Sequence, residues 1–154
     1  DPVGSALATD SMGMAALWRW REAHTEVINQ LGPHPPHKYD VSVHPARMPA
    51  LVAEVGQVVR DRSPEWRLWV FGHAGDGNLH LNVTGPAPDD ETVDAMVLER
   101  VAAHDGSISA EHGIGRAKRQ WLGLTRSAAE IGTFRAIKAA LDPRGVLNPG
   151  VLLP

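Results

Sequence analysis

Apolar spacing divides the chain into helical and strand-like stretches in a regular order. From about Met14 to Leu31, Leu17, Trp20, Val27 and Ile28 fall on one side while Arg21 and Thr25 sit four apart on another, which predicts a helix ending at Gly32. Residues 1–12, small and polar, read as a frayed lead-in. Gly32 to His37 holds three prolines in six residues and is expected to be an extended loop, with His34 and His37 exposed to solvent. Lys38 to Val43 alternates as a strand. Met48, Leu51, Val52, Val55, Val58 and Val59 mark a helix from Met48 to about Asp61. A hairpin is predicted from about Trp66 to Thr84. Asp89, Asp90 and Glu91 open the next helix, whose stripe is Val93, Met96, Val97, Leu98 and Val101. Ser107 to Ala110 is a short strand-like piece. Helices follow over roughly Arg116 to Leu124 and Ala128 to Leu141, the latter stopped by Asp142-Pro143. From Lys38 the order is β-α-β-β-α-β. The expected fold is α+β, a ferredoxin-like split antiparallel sheet with helices on one face and extra helices at both ends, in a single domain over residues 1–154.

The hairpin is the most informative element. Gly75-Asp76-Gly77 is a turn signal, and centring the turn on Gly75 and Asp76 pairs His73 with Asn78, Phe71 with His80 and Trp69 with Asn82. These six then share one face, and Leu68, Val70, Leu79, Leu81 and Val83 take the other, against the helices. The open face thereby gathers two imidazoles, two amides and two aromatic rings. His73 and His80 become a diagonal pair, roughly 7 to 8 Å apart at the backbone, close enough to share a metal ion. A slip of one residue would separate them, and on an ordinary sheet they would be partly exposed polar residues with no further role.

Composition narrows the function. With 15 Lys+Arg against 18 Asp+Glu the net charge is −3 and no basic cluster marks a phosphate-backbone partner, so no nucleic acid is expected. No apolar run reaches the ~18 residues of a membrane span, and Asp1-Pro2-Val3 does not open a signal peptide, so a cytoplasmic location is expected. The chain has no Cys, which excludes thiolate metal sites and leaves imidazole and carboxylate as ligands.

Two histidines and a carboxylate commonly hold a divalent ion with open positions, and Glu111, where the fourth strand ends, supplies the acid. Its neighbour His112 would then face a substrate as general base; taken alone, it is more often a capping or packing histidine. Arg21, Thr25 and Lys38 form a candidate carboxylate clamp, each alone being an ordinary surface residue.

Three stretches carry a resemblance: GHAGDGNLHLN at Gly72 to Asn82, SAEHGIGRAK at Ser109 to Lys118, and ALDPRGVLNPG at Ala140 to Gly150. They are similar to the C-terminal domain of FAD-linked 2-hydroxyacid dehydrogenases, within the vanillyl-alcohol oxidase superfamily. The resemblance implies His73, His80 and Glu111 as ligands of a zinc-like ion that grips a small 2-hydroxy acid. It makes His112 the base that takes the hydroxyl proton while hydride passes to the flavin. It places Arg21, Thr25 and Lys38 on substrate carboxylates, Asn82 beside the metal, and Asn148 and Gly150 in a terminal loop that packs toward the flavin. His44-Pro45 departs from the family pattern, which has proline directly after Val43. FAD itself is expected to be held mainly by a preceding domain, and this chain alone to be inactive. No electron acceptor is named by the sequence. Two other readings stand beside this one, a metal-binding module without catalysis and a metal-dependent hydrolase on a ferredoxin-like sheet. Trp69 and Phe71 on an open face also make self-association expected.

Overall fold

The hairpin forms in the register its turn predicts. In the computed structural model, which describes residues 6–153, strand β2 (Arg67–His73) pairs antiparallel with β3 (Asn78–Thr84), matching His73 with Asn78, Phe71 with His80 and Trp69 with Asn82 across the loop 74–77. The other side of β3 takes β1 (His37–Ser42), so the sheet order is β1-β3-β2. Every residue of β3 except His80 is buried, whereas β2, at the edge, buries none.

One face of this sheet rests on two helices, α3 (Met48–Arg62) and α4 (Glu91–Ala103). Helical spacing puts Leu51, Val55 and Val59 of α3 and Val93, Val97, Leu98 and Val101 of α4 against Tyr39, Val41, Leu79, Leu81 and Val83 of the sheet. Each such side chain contributes about 1.5–3 kcal/mol on burial. Val70, expected on this face, is 38% exposed. The Asp90 carboxylate accepts from Thr92 N–H at the start of α4 (3.0 Å), as the acidic run predicted. Tyr39 reaches through the core to donate to Asp94 of α4 at 2.6 Å. Burial first and that hydrogen bond second push its pKa well above the ordinary phenol value. His37 is not solvent-exposed as expected: its ring nitrogens lie 3.3 Å from Asp94 Oδ1 and 2.9 Å from Ala87 O.

The predicted first helix is broken in two, α1 (Ser11–Glu22) and α2 (His24–Ile28). The break falls where the His24 ring occupies the Arg21 carbonyl, the acceptor an unbroken helix would give to Thr25 N–H. Of the apolar side expected on this helix only Ile28 is buried, and Trp20 is 79% exposed.

The fourth strand is reduced to one bridge between Ser42 and Ser107, with hydrogen bonds of 3.0 and 2.7 Å. Ser107 Oγ turns to the Ser109 carbonyl (2.8 Å), and beyond the bridge the segment meets β1 again only at Asp40, whose carbonyl accepts from Ala110 N–H at 3.2 Å. The helix expected over Arg116 to Leu124 is a 3-10 helix confined to Arg119–Leu124, whereas α5 (Ala128–Leu141) keeps its predicted bounds behind a capping box of Ser127 and Glu130. Among the described residues no helix is long and apolar enough to cross a membrane.

Candidate functional site

The open face of the sheet is a grid, because three strands in fixed register place their outward residues in rows. Lys38, Asn82 and Trp69 form one row, Asp40, His80 and Phe71 the next, and Ser42, Asn78 and His73 the third. His80 is at the centre. Its ring centroid lies 5.1 Å from that of Phe71 and 6.2 Å from that of His73, and His112 stacks over it at 6.2 Å.

Glu111 and His112 reach this face through Asp40, a residue the sequence reading passed over. Asp40 is 3% exposed, and its Oδ2 accepts backbone N–H groups from Glu111 (2.6 Å) and His112 (2.9 Å). Burial alone would raise its pKa. The two N–H donors, with the charges of His112 and Lys118, outweigh burial and hold the carboxyl below its ordinary value. Lys118 Nζ donates to the carbonyls of Asp40 (3.2 Å) and Ile108 (2.8 Å), and its own burial lowers the lysine pKa. The Glu111 side chain accepts from Asn78 Nδ2 at 2.7 Å. Ligand atoms of Asp40, Glu111 and His112 lie within 4.8 Å of one another.

On the other side of His80 lies a cavity of 340 Å³. Arg21, His24 and Thr25 from the helical arm face Phe71, His73 and His80 of the hairpin across it. This volume suits a small organic molecule and is too small to enclose a dinucleotide, and Glu22 shares the wall with Arg21. The arm and the hairpin are linked by the His24 ring, stacked on Phe71 at 5.9 Å. Arg21 and Thr25 are thus brought together with the two histidines despite the helix break. Lys38, exposed in the row of Asn82, is not part of that wall, and Asn82 is buried with its amide 3.5 Å from the His80 carbonyl. Asn148 and Gly150 lie in the tail that returns to the loop after His112. Arg119 donates to Gly150 O at 3.0 Å, and Leu152 N–H to Gly115 O at 3.0 Å.

Two buried oxygens on this face, Asp40 Oδ1 and Asn78 Oδ1, have no hydrogen-bond partner among the described residues. The orphaned Asn78 oxygen, beside imidazoles and the Glu111 carboxylate, suits a cation, and a donor set of N and O atoms without thiolate suits a divalent one.

The family described as FAD linked oxidases, C-terminal domain, matches residues 1–152. The chain belongs to this family. Among relatives of the FAD-linked oxidase domain, the D-2-hydroxyglutarate dehydrogenase of Xanthomonas citri pv. viticola is 44% identical over 159 residues, covering 97% of the chain and 33% of that protein. The D-2-hydroxyglutarate dehydrogenase of Stutzerimonas stutzeri is 42% identical over 142 residues, 87% of the chain and 30% of that protein. The mitochondrial D-2-hydroxyglutarate dehydrogenase of Rattus norvegicus is 37% identical over 155 residues. The domain therefore spans about a third of the length of these curated relatives.

Proposed function

We propose that the domain forms the substrate and metal site of an FAD-dependent enzyme that oxidises a small D-2-hydroxy acid, with D-2-hydroxyglutarate the first substrate to try. The observation that carries this reading is the meeting at His80 of an imidazole and carboxylate cluster with a small cavity walled by Arg21 and Thr25. The relatives' shared name supports the substrate class.

In this reading His73, His80 and Glu111 would hold a divalent ion, zinc-like as the resemblance implies, which would lower the cost of charge on the substrate hydroxyl oxygen. FAD, when bound, supplies the acceptor for the hydride from C2. Arg21, Thr25 and Lys38 hold carboxylates, a guanidinium being suited to two parallel hydrogen bonds, and Asn82 lines the metal side. His112, with a largely exposed ring above His80, accepts the hydroxyl proton. Asn148 and Gly150 belong to the tail facing the flavin. The fold is read as a ferredoxin-like split sheet whose fourth strand has shrunk to the Ser42–Ser107 bridge on the free edge of β1.

Two experiments test the reading. Metal analysis of the dialysed chain is expected to find one divalent ion, lost in the His73→Ala, His80→Ala double variant; undiminished binding in that variant removes these ligands. In the full-length protein, anaerobic stopped-flow should show His112→Ala slowing flavin reduction by roughly 100 to 10,000-fold with little change in substrate affinity. Reduction at the wild-type rate would assign the base elsewhere, and a full-length product without a flavin spectrum would favour a hydrolase.

A further inference from the structure

We propose that Asp40 is the positioning residue of the site: one carboxylate oxygen fixes the course of the Glu111-His112 backbone, and the other sets the tautomer of His80. The proposal rests on the metal-site reading above, and goes beyond it by giving a role to a residue that reading leaves out of its ligand set. Asp40 sits in the middle of β1, directly opposite His80 in the register, and is buried. A carboxylate in that position is costly unless its lone pairs are used. Oδ2 is used twice, by N–H groups 71 and 72 residues away in sequence. These bonds, with Lys118 spanning the Asp40 and Ile108 carbonyls, secure the segment that presents Glu111 and His112.

Oδ1 is buried without a hydrogen-bond partner among the described residues, and His80 Nδ1 stands 3.7 Å from it. That separation is longer than a hydrogen bond, so the pair is poised rather than closed. A neutral imidazole that turns Nδ1–H onto Oδ1 satisfies the orphan and leaves Nε2 unprotonated, the form that ligates a cation. Carboxylates behind metal-binding histidines act in this way, and their loss typically costs 10–100-fold in metal affinity. The alternative, Asp40 as a direct ligand with Glu111 and His112, would use the same Oδ1, since Oδ2 serves two backbone donors, and would leave His80 Nδ1 without that acceptor.

The test reads the tautomer directly. Two-bond ¹⁵N–¹H NMR of the metal-free chain at about pH 8, above the ordinary histidine range, is expected to show His80 protonated on Nδ1 in the wild type. In Asp40→Asn, which keeps the shape but can present an amide N–H to the ring, the proton moves to Nε2. Zn²⁺ titration of the same two proteins is expected to show roughly 10–100-fold weaker binding in the variant. A wild-type His80 protonated on Nε2 overturns the proposal without any variant having to fold, and so does an Asp40→Asn protein with unchanged tautomer and zinc affinity. Should the wild type bind no Zn²⁺, the metal-site reading fails, while the tautomer result still decides whether Asp40 orients His80.

Discussion

Replacing Gly77 by alanine should unfold the chain far more readily than the same change two residues earlier at Gly75. Gly77 has φ 78°, in the left-handed region, where a Cβ costs about 1–2 kcal/mol. A Cβ built there overlaps the Val43 carbonyl oxygen and lies 3.1 Å from the Val43 carbonyl carbon, so the obstruction is backbone and no side-chain rotation relieves it. Relief requires the loop to move off β1, breaking the 3.0 Å hydrogen bond from Val43 N–H to Gly77 O, worth about 1 kcal/mol net and more if a group is left buried and unpaired. Against this, alanine stabilises by ~0.4–1 kcal/mol through the unfolded chain. The balance is a loss of about 2 kcal/mol, or roughly 4–8 °C in Tm for a chain of this size. At Gly75 no described residue lies within 4 Å of the added carbon and φ is not positive, so Gly75→Ala should stay within about 0.5 kcal/mol of the wild type. Urea unfolding followed by tryptophan fluorescence, with slopes compared across the three proteins, gives the numbers. A Gly77→Ala midpoint equal to that of Gly75→Ala would refute the argument that the hairpin tip is wedged against the end of β1.

The remaining predictions concern the core, a buried hydroxyl and acid stability. Leu81→Ala empties a fully buried position in the middle strand and should cost about 2–5 kcal/mol by urea unfolding, against under 0.5 kcal/mol for a change at exposed Leu7. Tyr39→Phe removes the donor to Asp94, whose side chain is 30% exposed and can turn to water, so calorimetry should find a loss of about 1 kcal/mol rather than more. Asp142 is hydrogen-bonded by Lys138 and by the N–H groups of Leu147 and Val146, which lower its pKa from 3.8 to about 2. A depressed carboxyl contributes stability above its unfolded value and loses it as pH falls through the folded one. Unfolding free energy should therefore drop between pH 3.8 and about 2 in the wild type and more shallowly in Asp142→Asn; equal slopes would rule out this carboxyl as the source.

What could be read from the sequence was local. An Asp-Gly turn and alternating side chains lie within a few residues of one another, so the hairpin register, and with it the shared face of His73 and His80, followed from the sequence. Helix α5 did so too, since its cap and stop are its own neighbours. The failures were competitions or distant contacts. His24 took a carbonyl from its own helix, and Ser107 one from the incipient strand, and periodicity does not weigh a side chain against the backbone. His37 is covered by Asp94, from a helix far along the chain. Asp40 went unnoticed although Tyr39-Asp40-Val41 sets a charge between two core residues, a pattern that asks for a buried partner. Finding the partner required knowing that β1 lies beside β3 and that Glu111 returns over it.

The strand order also bears on how the chain folds. Strands β2 and β3 are joined by four residues and can close within microseconds, whereas β1 must cross α3 and the whole of β2 to reach the far side of β3. His73, Asn78 and His80 thus come together by the cheapest closure in the molecule, while Asp40 arrives with β1 and Glu111 only after a further 71 residues of chain are in place. Completion of the site is a late event of high contact order, so its assembly reports on the finished topology rather than on the hairpin alone.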